Sequence, residues 1–152
     1  MKPVLALPLT VLAMVGCSLP PSTVATPRAS TSVNAGFDRT WNAVIDVFAE
    51  QNIPIATMEK ASGFIVADAQ FVGGDAKDAE AWADCGTTYG VPNPATAAKY
   101  NVLVRSVDDH TSTVKVTAAW AGGTYKCVTK GVWETDFEKS IKSRAETPQA
   151  SK

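Results

Sequence analysis

The sequence predicts an α+β fold: a two-layer sandwich in which a small antiparallel sheet carries helices on one face. Three patterns predict it. Phe37, Trp41, Val44, Ile45 and Phe48 recur at i, i+4, i+7, i+8 and i+11, the stripe of a helix with one buried side. Tyr100, Val102 and Val104 alternate with Asn101, Leu103 and Arg105. Beyond the polar turn 108–112, Val114, Val116, Ala118 and Trp120 alternate with Lys115 and Thr117. Period two on both sides of a turn signals an antiparallel hairpin. Trp133, Phe137 and Ile141 then fall at i, i+4 and i+8, a second helical stripe.

The elements follow in order. Asn34 or Asp38 is positioned to cap the first helix, and Asn52 with Pro54 to end it. Ile53 and Ile55 open an extended segment, because Pro54 disfavours the helical region for its predecessor. A turn over 59–63 places Gly63 where a positive φ is needed. The β-rich run 64–72 completes a hairpin, and Gly73-Gly74 breaks it. Residues 75–83 are alanine-rich and acidic and suit a short surface helix. Residues 86–96, with Gly90, Pro92 and Pro94, read as a loop. After the clear hairpin, Gly122-Gly123 ends the strand. Glu138 and Lys142 support the last helix as an i, i+4 pair. The expected order is α-β-β-(α)-β-β-α.

Composition limits what such a domain does. The 152 residues carry 14 basic and 15 acidic side chains and one histidine. A near-neutral chain lacks the basic footprint of a nucleic-acid binder. Four of the six leucines (Leu5, Leu7, Leu9 and Leu12) crowd the first residues, so the chain holds segments of two kinds.

The start reads MKPVLALPLTVLAMVGC. Lys2 precedes an apolar run from Val4 to Val15, too short for a membrane-spanning helix of about 20 residues. It has the length of a signal-peptide core. Met14-Val15-Gly16-Cys17 resembles the lipobox of bacterial lipoproteins. That resemblance implies cleavage after Gly16 and a diacylglycerol on the Cys17 sulfur, with Met14 standing where leucine is usual. An ordinary secretory signal with an incidental cysteine is the alternative. By the same resemblance, Ser18 after the cysteine favours the outer membrane.

The expected organisation is a lipoprotein signal peptide over 1–16, an acylated N-terminus and flexible tether over 17–35, a globular domain over 36–143 and a disordered tail over 144–152. The tether is rich in proline, serine and threonine, and buries too little apolar area to offset its ordering entropy. As a coil it reaches about 20–25 Å.

With Cys17 acylated, Cys85 and Cys127 remain, and in an exported protein they are expected to pair as a disulfide. A zinc site needs about four ligands, which two distant cysteines and one turn histidine do not supply. A reactive thiol is the other alternative. No Gly-x-Ser-x-Gly elbow, phosphate-binding loop or calcium-loop spacing occurs. His110 sits alone in an acidic turn and reads as solvated. Trp41, Trp120 and Trp133 lie on apolar stripes and read as core. Trp82 stands alone among alanines and acids. It either packs this excursion onto the sheet or serves as a partner contact.

The segment from Phe37-Asp38-Arg39-Thr40-Trp41 through Ile53-Pro54-Ile55 to Ser62-Gly63-Phe64-Ile65-Val66 resembles the repeated domains of BamC-like lipoproteins of the outer-membrane barrel assembly machinery. The resemblance covers about 30 residues, and it implies a helix-grip fold. The stretch from Cys127 to Glu134 is similar to a strand-to-helix junction of small bacterial lipoproteins.

The expectation is a noncatalytic, membrane-anchored envelope lipoprotein at the periplasmic face of the outer membrane. It would act as an accessory or protein-interaction module without cofactor, metal or nucleic acid. The alternatives are a lipoprotein that holds a small apolar ligand or lipid between helix and sheet, and an inhibitor of an envelope-attacking enzyme.

Overall fold

The computed structural model describes residues 17–70, 76–122 and 124–148. The expected signal segment with Gly16, the Gly73-Gly74 break, Gly123 and residues 149–152 lie outside the described residues. In chain order the elements are β1 (Ser18–Leu19), β2 (Thr31–Val33), α1 (Phe37–Glu50), β3 (Ile55–Glu59), β4 (Phe64–Gln70), α2 (Ala76–Trp82), β5 (Ala83–Asp84), β6 (Thr87–Thr88), β7 (Val91–Pro92), β8 (Ala97–Ser106), β9 (Ser112–Ala121), β10 (Val128–Thr129) and α3 (Val132–Glu146).

The main sheet has the strand order β2-β9-β8-β4-β3, each neighbouring pair antiparallel. β8 and β9 pair with Tyr100 opposite Ala118, Val102 opposite Val116 and Val104 opposite Val114. The period-two pattern sends Tyr100, Val102, Val104, Val114, Val116 and Trp120 to one buried face. α1 and α3 lie side by side on that face, α1 over β8 and α3 over β9 and β2. The result is the two-layer α+β sandwich that the hairpin and the two helical stripes predict.

The helix stripes hold. Trp41, Val44 and Phe48 are buried, and Phe37 and Ile45 pack against the core. Asn52 ends α1 with φ 53, the left-handed conformation asparagine tolerates better than most residues. The Asn52 amide then donates to the Ala49 carbonyl and the Ile53 amide to the Phe48 carbonyl, which satisfies two orphan acceptors of the last turn.

Aromatic rings fill the space between the layers. Phe48 meets Phe137 at 4.8 Å, Phe137 meets Trp133 at 4.6 Å, and Trp133 stacks on Tyr100 at 3.9 Å. Tyr100 meets Trp120 edge-on at 6.0 Å, and Trp120 stacks on Trp82 at 5.9 Å. Burial first, then the charge of Glu134, pushes the Tyr100 hydroxyl pKa upward, so it stays a neutral phenol.

Several expectations are corrected. Residues 31–33 are not tether: they form the fifth strand, with Val33 fully buried. The polar composition of the segment hid a single inward-pointing valine on an edge strand. The helix cap at α1 is Gly36, not Asn34 or Asp38. The Asn34 amide instead donates to Glu146, and Asp38 pairs with Lys60. α3 runs on to Glu146, past the expected boundary at 143, because Ala145 is still buried. Glu138 does not pair with Lys142. It turns inward, while Lys142 pairs with Glu146. The 86–96 loop contains a small hairpin, β6–β7.

Candidate functional site

The described part of the N-terminal segment lies on the domain as a strap. It starts at Cys17, which is the free cysteine and is exposed. β1 pairs antiparallel with β6, Ser18 opposite Thr88 and Leu19 opposite Thr87. One step further out, the Tyr89 amide donates to the Cys17 carbonyl at 3.1 Å. Tyr89 (φ 53) and Gly90 (φ 77) form the two-residue turn of the β6–β7 hairpin. Positive φ at both centres matches the twist of the flanking strands. Gly86 makes the close approach possible. A Cβ there would stand 2.2 Å from the Leu19 carbonyl oxygen.

Two carboxylates latch the strap. Asp84 Oδ2 accepts from the amides of Ser22 and Thr23, both at 2.9 Å, and from their hydroxyls at 3.2 and 2.8 Å. Its Oδ1 accepts from the Gly86 amide at 2.9 Å. Burial alone would raise the Asp84 pKa, but the hydrogen bonds from Gly86, Thr23 and Ser22 outweigh it. They hold the carboxyl well below the usual carboxylate range. A carboxyl depressed in the folded state stabilises it fully above its unfolded pKa of about 3.9, and the contribution fades as pH falls through the lower folded value. The Ser22 and Thr23 amides are therefore expected to stay protected from hydrogen exchange at about pH 3, where an ordinary aspartate is mostly protonated. Loss of that protection in step with ordinary carboxylates would refute the latch. Asp84→Asn serves as the reference without the charge.

The second latch is Glu138, only 2% exposed. Its Oε2 accepts from Arg28 Nη2 at 3.1 Å and from the Thr31 hydroxyl at 2.6 Å. Its Oε1 accepts from the Val116 amide at 2.9 Å. Arg28 also donates to the Thr135 hydroxyl at 3.0 Å. One carboxylate thus joins the strap, the last helix and a central strand. Beside it, the Thr129 hydroxyl donates to Glu134 at 2.6 Å, where the positive end of the α3 dipole favours a carboxylate.

The platform beneath the strap is closed by a Cys85–Cys127 disulfide with its Cα atoms 4.1 Å apart. It sits beside the β5–β10 pairing, Asp84 opposite Val128. Lys130 reinforces it. Its amide donates to the Trp82 carbonyl at 2.9 Å and its ammonium to the Glu80 carbonyl at 2.6 Å. Trp82 is half-buried with its ring on Trp120, so it joins the excursion to the sheet. Of the residues singled out in the sequence, Cys17, Trp82, Cys85 and Cys127 belong to the strap and its platform.

Sequence reasoning missed Asp84, Gly86, Arg28 and Glu138. Only Asp84-Cys85-Gly86 left a trace, since an aspartate two residues before a glycine signals a local side-chain turn. His110 is exposed, in a turn where its amide donates to Asp108 Oδ1 at 2.8 Å. Among the described residues no cluster of three His, Cys, Asp or Glu side chains is placed to hold a metal. No described helix is long and apolar enough to cross a membrane. No family model matches the chain, and no curated protein matches it.

Proposed function

We propose that this chain is exported, is cut after Gly16, and is held on a membrane by acyl chains on Cys17. Its α+β domain then serves as a noncatalytic interaction module of the cell envelope, at the periplasmic face of the outer membrane. The observation that carries the reading is the order of Lys2, apolar run, Gly16 and Cys17. Cysteine usage supports it: Cys85 and Cys127 pair with each other, and Cys17 stands exposed with its thiol free. The BamC-like resemblance supports a role beside other envelope proteins. Trp133 on Tyr100, and Phe137 on Phe48, occupy the helix–sheet space an apolar ligand would need, which favours a packed module over a ligand carrier.

Cys17→Ser tests the anchor. Each acyl CH₂ contributes about 0.8 kcal/mol of membrane affinity, and two or more chains hold a protein stably. The variant is expected to leave the membrane fraction almost completely. Mass spectrometry of the wild type should find the lipid on the peptide beginning at Cys17. Recovery of the variant in the membrane fraction at the wild-type level would overturn the proposal.

A further inference from the structure

We infer that the tip formed by β1 and the β6–β7 hairpin rests directly on the lipid leaflet that holds Cys17, so that the domain meets the membrane in one fixed orientation. The inference rests on the acyl-anchor reading of Cys17 and adds a second, non-covalent contact to it.

Three observations support it. The attachment residue is part of the tip, because the Tyr89 amide donates to the Cys17 carbonyl and β1 continues the pairing. Acyl chains leaving the Cys17 sulfur therefore start beside the Tyr89-Gly90 turn and not at the end of a loose tether. The tip also exposes large apolar side chains: Leu19 is 59% exposed, Tyr89 76% and Val91 65%. Finally, residues 17–21 and 86–94 contain no charged side chain. A surface that is apolar, uncharged and joined to a lipid anchor fits the headgroup boundary, where tyrosine in particular is favoured. Tyr125, whose hydroxyl donates to the Ser18 carbonyl at 3.1 Å, brings a second such ring to the same place.

The platform is stiff enough to transmit this orientation. Asp84 latches Ser22 and Thr23, Gly86 seats the Leu19–Pro21 backbone, and the disulfide fixes Cys85 beside the base of α3. A flexible link of the same residues would leave the domain free to tumble above the surface.

Hydrogen exchange on the full acylated chain in vesicles of phosphatidylethanolamine and phosphatidylglycerol tests the inference. The reference is the Cys17→Ser chain in solution. Amides of residues 88–91 are expected to exchange at least about tenfold more slowly in the vesicle-bound protein, because a buried tip must leave the lipid before it opens. The acylated double variant Tyr89→Asp, Val91→Asp changes only exposed side chains and is expected to return to the reference rates while staying anchored. Equal rates in the anchored wild type and the reference would overturn the docked orientation and leave the anchor standing. Absence of lipid on Cys17 by mass spectrometry would overturn both.

Discussion

Replacing Cys85 and Cys127 together by alanine is expected to lower the unfolding free energy by about 4 kcal/mol, the chain-entropy value for a loop of this length. For a domain of this size that corresponds to a fall in Tm of about 10–20 °C. The same loss should follow reduction by dithiothreitol. The loop closed by the bridge contains both central strands, β8 and β9, so the cross-link constrains the unfolded chain across the heart of the domain. The native state should also loosen locally. Without the bridge, the β5–β10 pairing and the contacts of Lys130 and Trp82 are left to hold residues 83–94 to the base of α3. Exchange at Ser18–Thr23 is thus expected to accelerate before the main sheet opens. A Tm within a few degrees of wild type would show that the bridge constrains little.

Glu138→Ala should have the next largest effect, a loss of about 3 kcal/mol, as when one partner of a buried ion pair is removed. The truncation strips Arg28 of its counter-charge and leaves the Val116 amide without its acceptor inside the sandwich. Glu138→Gln keeps an acceptor for Val116 but removes the charge facing Arg28, so about half the loss is expected. Chemical denaturation measures both. The location of the damage distinguishes a latch from generic helix destabilisation. Exchange should rise at Arg28 and along β2 before it rises in α3. Equal acceleration along α3 and β2 would count against the latch.

Legibility varied by element for physical reasons. α1, β8, β9 and α3 bury a face that repeats at 3.6 or 2 residues, and such repeats survive in one-dimensional sequence. The turn at Gly63 was equally readable, because φ 67 is a conformation few other residues adopt cheaply. The inward carboxylates of α3 were not readable. Glutamates at 134 and 138 look like a solvated face, and their burial becomes tolerable because the strap, the Val116 amide and Thr129 cover and hydrogen-bond them. Trp82 was legible as an anomaly, but its partner Trp120 lies on a distant strand and only folding brings the rings together.

The sequence by itself determined the α+β class, the two helical stripes, the central hairpin and the expectation that Cys85 and Cys127 pair. It also supplied the lipobox-like order of residues that makes Cys17 the candidate anchor. Tertiary structure alone decided that the segment after Cys17 is a strap. The reason is that its stability does not come from its own composition. Ser22 and Thr23 find their acceptor about 60 residues away on Asp84, and Arg28 finds its acceptor 110 residues away on Glu138. A polar, proline-rich run has no periodic apolar face to announce such contacts. Its order is supplied by acceptors that exist only once the sandwich has formed.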